Sequence, residues 1–254
     1  MIDAGRKNKV LLVAHPKTGN HWILFVVMNY YRILNFGVTE TATLKDIYSF
    51  AKLKGFTGEM YNGIIKDSDF LEGYPSLLRS EYSRYAFYDL DCFYKGFDKL
   101  IYMYRNPYDV MISQFYYLIR DPNRLELVKK TSLKEISYFD DYVRANTLIY
   151  IAHVKYNIPH ADLVLYYDDL QKDPSPFKIL LEYLFGEVDE EIFQKTIEMS
   201  SLKSVHSMEM RVKVNDPKLL TRNGQSGQYK NIMKPELIQY IKEKWEEAGL
   251  NGRF

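Results

Sequence analysis

The stretch Val10-Leu11-Leu12-Val13-Ala14-His15-Pro16-Lys17-Thr18-Gly19-Asn20-His21-Trp22 decides the fold. Its first five residues form a continuous apolar run, the pattern of a short strand buried on both faces, and His15-Pro16 ends it. From Thr18 to Leu34, Trp22, Phe25, Val26, Asn29, Tyr30 and Ile33 recur at spacings of three and four. That is the stripe of a helix packed on a sheet. Strand, tight loop and helix make the first half of a βαβ unit.

The same joint recurs further along. Leu100 to Tyr104 reads as a buried strand ended by Arg105-Asn106-Pro107, with Pro107 suited to a first helical turn and Asp109 early in that helix. Ala161 to Tyr167 is a further strand that meets the acidic pair Asp168-Asp169, and Leu77 to Ser80 is a short one. Helices are predicted over Tyr82 to Tyr94, Leu133 to Tyr156, Pro174 to Phe185, Asp189 to Glu198 and Pro235 to Ala248, with stops at Gly186 and Gly249. Leu44 to Tyr74 carries Gly55, Gly58, Gly63 and Gly73 without a sustained period, as broken helices and loops over a site would. The expectation is one α/β domain over residues 1–254, a central parallel sheet flanked by helices, with ligands at the strand ends.

Composition narrows the function. The 34 Lys+Arg and 33 Asp+Glu nearly cancel, so no overall field favours nucleic acid. A single cysteine, Cys92, makes neither an internal disulfide nor a Cys-rich zinc site, and the five histidines show no metal-ligand spacing. The longest later apolar run, Trp22 to Met28, is far short of the roughly 20 residues of a membrane span, and Val10 to Ala14 is short for a signal peptide. A soluble, cytoplasmic protein without a metal is expected.

Three loops carry the chemistry. Lys17, Thr18 and Gly19 stand between a buried strand and a helix start, whose leftover backbone N–H groups attract an anion. Glycine permits close backbone approach there, and lysine adds a mobile positive charge. The Walker spacing is absent, which opposes a kinase-like reading. In Arg105-Asn106-Pro107-Tyr108-Asp109-Val110-Met111-Ile112-Ser113, an arginine fork and a serine hydroxyl suit a second, terminal phosphate. Arg222-Asn223-Gly224-Gln225-Ser226-Gly227-Gln228-Tyr229-Lys230-Asn231 has the glycines and the charge of a lid.

On these three segments the chain resembles the sulfotransferases that use 3′-phosphoadenosine 5′-phosphosulfate (PAPS), the cytosolic type in particular. That family carries Y-P-K-S-G-T-T-W, R-N-P-x-D-x-x-x-S and R-K-G-x-x-G-D-W-K-N in this order. Here the second is complete; the first has His15, Thr18, Asn20 and His21 substituted, and the third Asn223, Gln228 and Tyr229. The resemblance spans residues 9 to 232 and implies a sulfotransferase fold related to P-loop nucleotide kinases. It implies that Lys17, Thr18, Gly19, Asn20 and His21 hold the 5′ end of the donor, with Trp22 against the adenine. Arg105 and Ser113 would take the 3′-phosphate, and Arg222, Asn223 and Gly224 would close over it. Tyr167 is similar to a family tyrosine near the adenine, and Ser200-Ser201-Leu202 to a T-S-F segment, so Ser200 and Leu202 join the donor site. Adenosine 3′,5′-bisphosphate (PAP) would be the product.

The catalytic base departs from the pattern. Where relatives carry K-[ST]-H, this chain has Arg79-Ser80-Glu81. Glu81 is the candidate base, since burial can raise a carboxylate toward the working pH, and Arg79 would orient the acceptor or the sulfuryl oxygens. His21 and His15 are its rivals. Glu81 points to a hydroxyl on a polar or cationic small molecule, with N-sulfation of an amine and a non-catalytic nucleotide-binding relative as alternatives. The family's C-terminal K-x-x-x-T-V-x-x-x-E dimer motif is interrupted by Lys234-Pro235, so a monomer or another interface is expected.

Overall fold

The computed structural model describes residues 9–43, 46, 76–80, 98–118, 134, 136–212, 224 and 226–250. The helix expected at Tyr82 to Tyr94, and nearly all of Leu44 to Tyr74, lie outside the described residues.

Four parallel strands form one sheet: β1 (Lys9–Ala14), β2 (Ser76–Ser80), β3 (Lys99–Tyr104) and β4 (Leu163–Tyr166), in the order β2-β1-β3-β4. Alternation sorts the side chains of β1 and β3 onto two cores. Val13, Leu100, Tyr102 and Tyr104 pack with α2 (Pro107–Leu118), α3 (Ser137–Asn157) and the terminal helix, which buries Trp245. Val10, Leu12, Ala14, Ile101 and Met103 pack on the other face with α1 (Asn20–Phe36) and its neighbours, through Ile23, Val26 and Tyr30. Burial on both faces is why β1 reads as an unbroken apolar run.

Beyond β4 come α4 (Tyr167–Leu170), α5 (Pro176–Phe185), α6 (Glu190–Met199), α7 (Leu202–Val212), α8 (Tyr229–Ile232) and α9 (Pro235–Glu247). Several boundaries differ from the sequence reading. Tyr167 opens a helical turn instead of ending a strand, because the ladder stops at the Tyr104–Tyr166 pair and the acidic Asp168-Asp169 suits a helix start. Helix α3 begins at Ser137 and not Leu133; Ile136, buried and extended, caps it from outside. Helix α7 had no counterpart in the sequence reading, and the stretch expected as polar loop to Asn231 turns helical at Tyr229. Pairing of Ala14 with Met103 and of Tyr104 with Tyr166 brings the loops after β1, β3 and β4 to one end of the sheet. Ser80 pairs with Val13, so β2 ends there too.

Candidate active site

The loop after β1 is held from within. The Thr18 hydroxyl donates to the His15 carbonyl at 2.7 Å and lies 3.3 Å from Asn20 Oδ1, while Thr18 N–H donates to the same carbonyl at 3.3 Å. This tight turn puts Lys17 at φ 73°, the sole positive-φ residue besides glycines among the described residues. Gly19 follows at φ 114°, and a Cβ there would lie 2.5 Å from Met103 Cε and 2.7 Å from Tyr167 Cδ2. Only glycine lets the backbone pass so close to β3 and α4. Asn20 opens α1, buried, with His21 and Trp22 half-buried behind it. Trp22 packs edge-on against Tyr167 at 5.4 Å and Phe177 at 5.1 Å.

The loop after β3 is pinned harder. Arg105 is 5% exposed; its N–H donates to Tyr150 Oη at 2.9 Å, and that hydroxyl donates to the Arg105 carbonyl at 2.6 Å. Asn106 is fastened to Asp168 by its N–H (3.0 Å) and its amide (2.9 Å), and its Oδ1 caps α2 by accepting from Asp109 N–H. The Arg105 guanidinium is therefore presented over the Tyr167 ring, 4.4 Å from its centroid, with Nη2 3.7 Å from Asp109 Oδ2. Burial pushes the Tyr167 phenol up, opposed by Arg105, so it stays neutral and available as a donor.

That donor meets the third loop. Tyr167 Oη and Gln171 Nε2 both donate to the Gly224 carbonyl, at 2.8 and 2.7 Å, and Ser226 Oγ donates to Gln171 Oε1 at 2.8 Å. Gly227 N–H donates to Asp109 Oδ2 at 2.6 Å, and Tyr229 stacks on Tyr108 at 4.3 Å. Gly224, at φ 62°, has its Cα against Leu202, whose Cδ1 would be 2.5 Å from an added Cβ. Gly224, Ser226 and Gly227 are thus docked on α4 and the start of α2.

Lys17, Thr18, Gly19, Asn20, His21, Trp22, Arg105, Tyr167 and Gly224 are consequently brought together from the loop after β1 and the start of α1, the loop after β3, the start of α4 and the glycine segment, with Leu202 beneath Gly224. Ser113 is half-buried on α2, two turns after Arg105. Ser200 is fully buried, its hydroxyl accepting from Asn29 Nδ2 at 2.9 Å. Arg79 pairs through its backbone with Leu12; Glu81, Arg222 and Asn223 lie outside the described residues. His15 is 2% exposed, donates from Nδ1 to the Pro16 carbonyl, and packs 4.8 Å from Tyr150 and 5.3 Å from His153. Burial lowers its pKa to about 4, the environment of a packed neutral ring.

Sequence reasoning missed Tyr150 and Gln171, which carry no local signal because each acts through a partner far along the chain. Asp168 was visible as an acid at a strand end, but not as the clamp on Asn106.

A positive loop at a helix start, a buried arginine and an overlying glycine loop suit a ligand with two anionic groups. The Lys17 ammonium and the Arg105 guanidinium supply two cations for such a ligand. Among the described residues, no group of three or more His, Cys, Asp or Glu is arranged to hold a metal ion, and no helix is long and apolar enough to cross a membrane.

The family model described as "Sulfotransferase domain" matches residues 7–249. Sulfotransferase 2A2 of Mus musculus is 23% identical over 245 residues, covering 89% of this chain and 79% of its own length. Cytosolic sulfotransferase 10 of Arabidopsis thaliana is 29% identical over 174 residues, 60% of this chain and 51% of its own. The fold is similar to that of mouse sulfotransferase SULT7A1 complexed with PAP, at TM-score 0.60 and 20% identity over 98% of this chain and 87% of that one. A retinol dehydratase in complex with androsterone and inactive cofactor PAP also scores 0.60, at 15% identity over 94% and 80%.

Proposed function

The chain belongs to the sulfotransferase family, and from that premise we propose that it moves a sulfuryl group from PAPS to a small-molecule acceptor, leaving PAP. The observation that carries the donor is the Arg105 guanidinium, laid on Tyr167 beside Asp109, with Gly224 and Gly227 held at Tyr167 and Asp109. Fold neighbours crystallised with PAP support the same class of nucleotide.

In this reading Arg105 and Ser113 bind the 3′-phosphate, and Arg222, Asn223 and Gly224 close over it. Lys17, Thr18, Gly19, Asn20 and His21 hold the 5′ end, and Trp22 and Tyr167 flank the adenine, with Ser200 and Leu202 behind. Transfer needs the acceptor oxygen in line with the sulfur and the bridging oxygen. The new O–S bond forms as the bridging S–O bond breaks. Glu81 takes the acceptor proton, Arg79 orients the acceptor, and the Lys17 ammonium meets the charge developing on the departing oxygen. A base that is a carboxylate favours a hydroxyl on a polar or cationic molecule.

Calorimetric titration with PAP, against ADP and ATP, tests the donor. PAP binds tightly and alone, and Arg105→Ala weakens it by about a hundredfold, as loss of a charged hydrogen-bonding partner does. Equal affinity for ADP would overturn the reading. Turnover across neutral phenols, steroid-like alcohols and amine- or guanidinium-bearing alcohols tests the acceptor, and a strong preference for neutral phenols would count against it.

A further inference from the structure

The turn that carries Lys17 throws its side chain toward helix α2. A non-glycine residue in the left-handed region is strained; Lys17 is kept there, at φ 73°, by the two hydrogen bonds from Thr18 to His15. Its ammonium lies 4.8 Å from the centroid of the Tyr117 ring, over the face. This is within the roughly 6 Å at which the ring quadrupole attracts a cation. Tyr117 stands in the last turn of α2 and is 39% exposed. It follows Asp109 and Ser113 at intervals of four, so the three share one face of the helix. One face therefore meets the docked glycine loop through Asp109, offers Ser113, and meets the lysine through Tyr117.

We propose that Tyr117 is a positioning residue for Lys17, its ring holding the ammonium in the orientation from which it serves the departing oxygen. A lysine side chain loses much rotamer freedom when fixed. A ring that restrains it beforehand removes part of that loss from the reaction step. The hydroxyl plays no part in the attraction, so phenylalanine serves in its place. The inference rests on the donor reading above.

The test compares Tyr117→Phe and Tyr117→Leu with the parent, in three measurements. The first is the NMR signal of the Lys17 ε-methylene in protein labelled at lysine Cε, assigned with Lys17→Arg. It is shifted upfield by the ring in the parent and in Tyr117→Phe, and returns to the position of free lysine in Tyr117→Leu. The second is PAP affinity by calorimetry, which stays within about twofold in both variants because the ring touches the ammonium and not the 3′-phosphate site. The third is steady-state turnover: Tyr117→Leu loses about tenfold in kcat with the donor KM unchanged, and Tyr117→Phe keeps the parent rate. A Lys17 signal unmoved by Tyr117→Leu overturns the proposal, as does an equal loss in both variants or a loss confined to KM. A parent that binds no PAP overturns the donor reading and the role in transfer with it. The NMR comparison then still decides whether Tyr117 holds the lysine.

Discussion

Acid sensitivity tests the account of the loop after β1. His15 is enclosed by Tyr150 and His153, with Nδ1 donating to the Pro16 carbonyl, and burial lowers its pKa to about 4 from its ordinary 6.5. The unfolded chain therefore takes up a proton that the folded chain refuses. The stability this neutral ring supports is complete above pH 6.5 and is lost as pH falls through the interval down to about 4. At 1.36 kcal/mol per unit the whole loss is about 3 kcal/mol, of which about 2 kcal/mol is gone by about pH 5. That is a large share of the 5–15 kcal/mol of an ordinary domain. His153 is pushed down as well, by its own burial and by His15, so it adds to the loss.

Urea unfolding of the parent and of His15→Gln, at several pH values between about 7.5 and 5, separates the histidine from the carboxylates common to both. The parent loses about 2 kcal/mol more than the variant between these limits. Parallel curves would refute the reasoning, since they would mean that His15 titrates alike in the folded and unfolded chain.

Two further substitutions probe the loops. Gly19→Ala places a methyl group 2.5 Å from Met103 Cε and 2.7 Å from Tyr167 Cδ2 at φ 114°. It should destabilise the fold by about 2–3 kcal/mol in thermal melts and abolish PAP binding, and a parent-like melt would contradict the packing. Gln171→Ala removes one of two donors to the Gly224 carbonyl and the acceptor of Ser226. Faster proteolysis of the glycine loop and PAP binding weakened by about fivefold are expected, and unchanged cleavage would show that Gln171 does not hold it.

The fold was legible because burial on both sheet faces writes itself into β1 and β3 as unbroken apolar runs, each stopped by a polar loop. The positions of Lys17, Gly19 and Arg105 were legible for a related reason: each stands where an apolar strand run stops at a polar loop, and the structure puts them at one end of the sheet. What escaped was anything fixed by a partner distant in the chain. Tyr150 looks like any aromatic on a helix, yet its hydroxyl holds both backbone groups of Arg105 from 45 residues away. Tyr167 read as strand because its apolar neighbours continue the run; the end of its ladder partner at Tyr104 turned it into a helix. Tyr117 and Lys17 are a hundred residues apart in sequence, so spacing held no sign of their contact.

Asp109 ties the arginine loop to Gly227 through one shared acceptor atom, and in the proposed function that atom couples anion binding to the docking of Gly227. Its Oδ2 accepts from Asn106 Nδ2 at 3.0 Å and from Gly227 N–H at 2.6 Å, and it is the atom 3.7 Å from Arg105 Nη2. The carboxylate is buried, so its charge is shared among these groups with little help from water. A phosphate that engages Arg105 draws the guanidinium's charge toward itself and leaves more of the carboxylate's to the Gly227 amide. Docking of Gly227 would then strengthen as the anion binds. By linkage the converse holds: a docked loop leaves less of Asp109 for Arg105 and more of Arg105 for the anion. In that reading Gly227 need not touch the phosphate oxygens itself, because the arginine acts on it through the one carboxylate oxygen they share.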